Sequence, residues 1–79
     1  MKLLKFYKEN CAPCKSVDSY LKTLNADYQE VHAFNEPDMS AKYRLNSVPT
    51  LILIDDEGNE VSRSIGFKPE EIKELVAQL

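Results

Sequence analysis

Cys11-Ala12-Pro13-Cys14 holds the only two cysteines of the chain. Two thiols separated by two residues can close a small disulfide ring and open it again, or supply two ligands to a metal. The apolar stretch Leu3-Leu4-Lys5-Phe6-Tyr7 before them reads as a strand, and the segment after them has helical periodicity. A cysteine at the mouth of a helix sits near unpaired amides and the positive end of the helix dipole, which favour a thiolate. The thiolate is the species that attacks a disulfide. Cys11 is the expected attacking thiol, exposed at the turn, with its pKa lowered into a range of about 3.5 to 7.5. Cys14, one helical turn further in, is the expected resolving thiol, more shielded and protonated at rest. Pro13 removes one amide donor and stiffens the turn.

The elements that position this pair follow from apolar spacing. Val17, Leu21 and Leu24 form a one-face helical stripe, with Asn25 as its stop. Tyr28 to Ala33 predicts a second strand, and Pro37 to Tyr43 a short helix with proline in its first turn. Leu51-Ile52-Leu53-Ile54 is an unbroken apolar run, as in a strand buried on both faces. Asp55 to Asn59 is a turn that lacks calcium-ligand spacing, and Val61 to Ile65 returns as an antiparallel partner. Gly66 ends that strand. Pro69-Glu70-Glu71 opens a last helix whose buried stripe is Ile72, Leu75, Val76 and Leu79. The order is β-α-β-α-β-β-α. This predicts one α/β domain over residues 1–79 with a four-stranded mixed sheet and helices on both faces. The first two crossovers are expected to build parallel pairs, and the dithiol should lie at the carboxyl end of the first strand, where open α/β sheets place their sites.

At 79 residues and a net charge of −3, the chain shows no basic stripe for nucleic acid and no apolar run of membrane-spanning length. Met1-Lys2-Leu3-Leu4-Lys5 does not resemble a secretory signal, so a cytoplasmic setting is expected. A purely structural disulfide would be unusual there. A zinc site prefers four ligands, and one dithiol with a single histidine, His32, supplies too few within one chain. A dimer sharing two dithiols, or an adaptor that grips a partner without turnover, stays open at this point.

Over nearly its whole length the chain resembles the thioredoxin family. Cys11-Ala12-Pro13-Cys14-Lys15 is similar to that family's active-site turn, with alanine in place of the usual glycine. Val48-Pro49-Thr50 is similar to its cis-proline loop, and Gly58 and Gly66 fall where the family has glycines. The resemblance implies a thiol–disulfide oxidoreductase that reduces protein disulfides, and Ala12-Pro13 implies a reductant rather than an oxidant. It further implies a cis Pro49, with the Val48 backbone presented to an extended substrate segment. No bound cofactor is implied, because the Cys11–Cys14 pair carries the electrons. The implied donor is a flavoprotein disulfide reductase, the implied clients are protein disulfides, and the chain is expected to act as a monomer.

The chain departs from thioredoxins at several points. The additional N-terminal strand and helix are missing, which leaves the minimal architecture of glutaredoxins. Asn10 replaces the tryptophan before the first cysteine. The buried aspartate of thioredoxins is Lys5 here, and the lysine that partners it aligns with Glu30. Gly66-Phe67-Lys68-Pro69-Glu70 resembles the tail of the small redoxins that reduce ribonucleotide reductase, although Ser64 and Ile65 replace their usual tryptophan and serine. Ribonucleotide reductase is the client which that tail suggests. A glutathione-dependent glutaredoxin is the alternative, but proline precedes Cys14 where glutaredoxins place an aromatic.

Strand alternation allows Lys5 and Glu30 to meet beneath the dithiol if their strands are parallel neighbours. The family's charge pair would then persist with its members exchanged, and Glu30 could help move the Cys14 proton. Otherwise Lys5 reaches solvent along its own stem and Glu30 lies on an exposed face. His32, Lys8, Lys15, Tyr7 and Phe67 are weaker candidates, for which ordinary surface or packing roles suffice.

Overall fold

Four strands and three helices account for the apolar periodicities in a computed structural model that describes residues 1–79. In chain order they are β1 (Lys2–Tyr7), α1 (Ala12–Thr23), β2 (Gln29–His32), α2 (Pro37–Lys42), β3 (Thr50–Ile54), β4 (Glu60–Ile65) and α3 (Pro69–Ala77). The sheet order is β2-β1-β3-β4. β1 and β3 take the centre because their residues are buried in unbroken runs, Lys5 included, and a central strand must bury both faces.

Alternation along those two strands divides the interior. Leu3, Leu51 and Leu53 face one side and pack with Val17 and Leu21 of α1 and with Ile72 and Leu75 of α3. Leu4, Phe6, Val31, Ile52 and Ile54 face the other side, where Tyr43 and Met39 cover them. Helices therefore lie on both faces of the sheet. The last helix stops at Ala77, and Leu79 beyond it is 46% exposed rather than part of the buried stripe. Asn25, just past the C-cap of α1, has φ of 53° and ends that helix in the left-handed region that asparagine tolerates.

The first crossover gives a parallel pair, β1 with β2. The second does not, because β3 runs antiparallel to β1. The reason lies after α2. That helix carries the chain along the sheet face until the Tyr43 hydroxyl donates to Gly58 O in the β3–β4 turn. Residues 44–49 then bring the chain back, starting with Arg44 at φ of 51°. β3 thus begins level with the end of β1, with Thr50 opposite Phe6.

Candidate active site

The site forms where β1 ends. Asn10, at φ of 55°, turns the chain so that Cys11 becomes the N-cap of α1, with Pro13 in the first turn. The helix therefore starts at Ala12, ahead of the apolar stripe. Cys11 Sγ accepts a hydrogen bond from the Cys14 amide at 3.2 Å, which places the sulfur on an unpaired helix donor. Cys11 and Cys14 are disulfide-bonded, with Cα atoms 5.2 Å apart. Cys11 is 6% exposed and Cys14 4%. The expectation of an exposed Cys11 is therefore corrected: its sulfur turns inward onto the first helical turn and its partner.

Two further loops reach the same end of the sheet. Register with Phe6 brings Thr50, and so the Val48–Pro49 peptide before it, to the level at which β1 leaves for the dithiol. That peptide is cis. Pro49 and Thr50 are buried, Val48 is half-buried, and Thr50 Oγ1 donates to Ser47 O at 2.8 Å. The Gly66 amide donates to Pro49 O at 2.8 Å and ties the β4–α3 turn to this loop. Gly66 holds φ of 84°, a conformation in which a side chain would be strained even though the space beside it is open.

An open cleft of about 430 Å³ lies beside the two sulfurs and is lined in part by Lys5, Cys11, Cys14 and Asp18. Lys5 is 3% exposed. Its register partner on the parallel strand is Glu30, and Lys5 Nζ donates to Glu30 Oε1 at 2.8 Å. A second carboxylate is equally close, with Asp18 Oδ1 at 2.9 Å. A buried ammonium costs several kcal/mol unless it is paired in this way. Ala12 and Pro13 are exposed above the cleft, and Lys8 and Lys15 flank it. His32 lies off the cleft. Its Nδ1 accepts from the Phe34 and Asn35 amides, and Nε2 approaches Glu9 Oε2 at 2.8 Å. Phe67 rests edge-on against Tyr20.

Asp18 and Tyr28 belong to this site and were not singled out from the sequence. The Tyr28 hydroxyl donates to Asp18 Oδ1, and Lys22 Nζ stands 3.0 Å from Oδ2. The available signal was spacing, since Asp18 is four residues after Cys14 and borders the buried positions Val17 and Leu21. The hydrogen bond from Tyr28, then that from Lys5, hold the Asp18 carboxyl well below its usual range. Burial, followed by the bond to Asp18, pushes the Tyr28 phenol well above its own.

These shifts have opposite consequences for stability. A carboxylate with a depressed folded pKa contributes stability above about pH 4, lost as pH falls toward the folded value. A phenol with a raised folded pKa contributes stability below about pH 10, lost as pH rises beyond it. Urea midpoints measured against pH should therefore fall more steeply below about pH 4 for the native chain than for Asp18→Asn. Parallel curves would remove Asp18 from the acid response.

The fold and the bonded pair define an α/β disulfide protein with the thioredoxin-like arrangement. The family model described as Thioredoxin matches residues 1–78, and the chain belongs to the thioredoxin family. It is 43% identical over 79 residues to the SPbeta prophage-derived thioredoxin-like protein YosR of Bacillus subtilis (strain 168), across 100% of this chain and 99% of that one. It is 35% identical over 77 residues to thioredoxin of Staphylococcus aureus, across 90% of this chain and 73% of that protein. The solved thioredoxin of Malassezia sympodialis shares the fold, with a TM-score of 0.85 at 14% identity, covering 96% of this chain and 71% of its own. Family membership and the close cysteine pair support a thioredoxin-like oxidoreductase. No helix is long and apolar enough to cross a membrane.

Proposed function

We propose that this chain reduces protein disulfides by dithiol–disulfide exchange, with Cys11 as nucleophile and Cys14 as resolving thiol. The observation that carries this reading is the Cys11 sulfur at the N-cap of α1, bonded to Cys14 and receiving a helix amide. In the reduced chain the Cys11 thiolate attacks one sulfur of a client disulfide. A Cys11–client bond forms, the client S–S bond breaks, and the displaced thiolate takes a proton from water. Cys14 then loses its proton and attacks Cys11 Sγ. The Cys11–Cys14 bond re-forms and the second client thiol leaves, so two electrons pass to the client. No bound group takes part.

The Val48 backbone makes no hydrogen bond within the chain. Its free N–H and C=O suit pairing with an extended client segment, with Ala12, Pro13 and Gly66 forming the rest of the contact. Lys5 stands between Glu30 and the cleft, so any part Glu30 takes in moving the Cys14 proton runs through the Lys5 ammonium. Electrons would come from a flavoprotein disulfide reductase in the cytoplasm, to a monomer, with ribonucleotide reductase as a client to test first.

The deciding assay is insulin reduction with two donors. NADPH with a thioredoxin reductase should sustain turnover, and glutathione with its reductase should support at most a tenth of that rate. The reverse preference would make the chain a glutaredoxin.

A further inference from the structure

The proposed exchange leaves Asp18 and Tyr28 without a part, although both bind the one buried cation of the cleft. Asp18 lies one helical turn beyond Cys14 on α1, and both residues line the same cleft as Lys5. Asp18 receives Lys5 and Tyr28 on one oxygen and Lys22 on the other. A carboxylate so supplied with donors is a poor proton acceptor. It is instead a good anchor. Lys5 is held by Asp18 and Glu30 at under 3 Å, with the rings of Tyr7 and Tyr28 each 5.3 Å from its Nζ. Glu30 does not line the cleft, and its side chain is 51% exposed. Asp18 is therefore the carboxylate that fixes the ammonium on the side of the sulfurs.

We propose that Asp18 is a positioning residue for the exchange: with Tyr28 it holds the Lys5 ammonium at the floor of the cleft, so that the thiolate formed at Cys14 faces a fixed cation. This deepens the function proposed above and rests on it. A carboxylate at that place would oppose a second negative charge beside it, whereas an ammonium supports one. The reduced chain, whose resting thiolate is on Cys11 in the same cleft, gains from the ammonium relative to the uncharged disulfide, and the pair becomes less strongly reducing. The charged or titratable groups facing Asp18 are Lys5 from β1, Tyr28 before β2 and Lys22 from its own helix, with Glu30 of β2 sharing Lys5. The depressed pKa of Asp18 keeps the clamp ionised wherever thiols exchange.

The test uses the full chain with Lys5→Met, Asp18→Asn or Tyr28→Phe, folding being checked by circular dichroism. One readout is the equilibrium constant of the Cys11–Cys14 disulfide with glutathione. The other is the Cys14 titration, followed by ultraviolet thiolate absorbance in a Cys11→Ser background. Lys5→Met should shift the equilibrium about tenfold toward the disulfide, or about 30 mV, and make Cys14 less acidic. Asp18→Asn and Tyr28→Phe should move both readouts in the same direction by a smaller factor.

The direction for Asp18→Asn discriminates. If Asp18 acted only as a nearby negative charge, its removal would make Cys14 more acidic. That result, or native values in both Asp18→Asn and Tyr28→Phe, would overturn the proposal. Tyr28→Phe changes no charge and keeps the test open if Asp18→Asn does not fold. Failure of the native chain to reduce insulin would instead strike the exchange reading, because the glutathione equilibrium and the titration remain measurable without a client.

Discussion

Cys11→Ser is expected to bring insulin reduction down to the uncatalysed rate, while Cys14→Ser attacks once and stalls. The two sulfurs differ in their surroundings rather than in their exposure. Cys11 caps α1 and receives the Cys14 amide, so its anion has a donor in place before any client arrives. Cys14 lies within the helix, and its sulfur is aimed at Cys11. Serine at position 11 leaves no nucleophile where the helix can support one. Serine at position 14 leaves attack intact and removes only resolution, so clients should accumulate as mixed disulfides on Cys11, releasable by dithiothreitol and identifiable by mass spectrometry. Trapping by Cys11→Ser in place of Cys14→Ser would reverse the assigned roles.

Phe6→Ala should be the most destabilising single change near the site. Phe6 is fully buried in the cluster that also holds Leu4, Val31, Ile52 and Ile54, and its ring meets the Tyr43 ring edge-on with centroids 6.2 Å apart. Truncating a buried phenylalanine costs about 3–5 kcal/mol, because the cavity adds to the lost transfer energy. At about 0.05–0.15 kcal/mol per residue, a chain of 79 residues has roughly 4–12 kcal/mol in total. The change should remove a quarter or more of that stability, lowering the urea midpoint at an unchanged m-value. A loss below about 1 kcal/mol would mean that this face of the sheet is loosely packed. Phe6 also pairs with Thr50, so the loop carrying Pro49 should loosen with it.

Local chemistry was the legible part of the sequence. The dithiol, Pro49 and the two glycines are punctuation that a chain uses for few purposes, and their positions could be read one residue at a time. The Lys5–Glu30 contact was legible because parallel register links those positions directly. Asp18 was harder to see, since its importance comes from a tyrosine just ahead of β2 and from a lysine whose direction no helical pattern reveals. The direction of β3 was misread for a related reason. Apolar periodicity marks a strand without an arrow, and the return of residues 44–49 depends on where Tyr43 anchors. Cys11 was expected to be open to solvent because a turn usually is, yet capping draws its side chain back onto the helix.

The Met1 ammonium lies 3.4 Å from Asp56 Oδ1, and Met1 lines the same cavity as Leu79. Both are at the start of β1, about 20 Å along the strand from the residues that lead into Cys11. A bead or fusion partner joined through Met1 or Leu79 should therefore leave the cleft beside Cys11 and Cys14 unobstructed. Immobilised Cys14→Ser chain would then serve directly as a column for fishing out disulfide-bearing proteins.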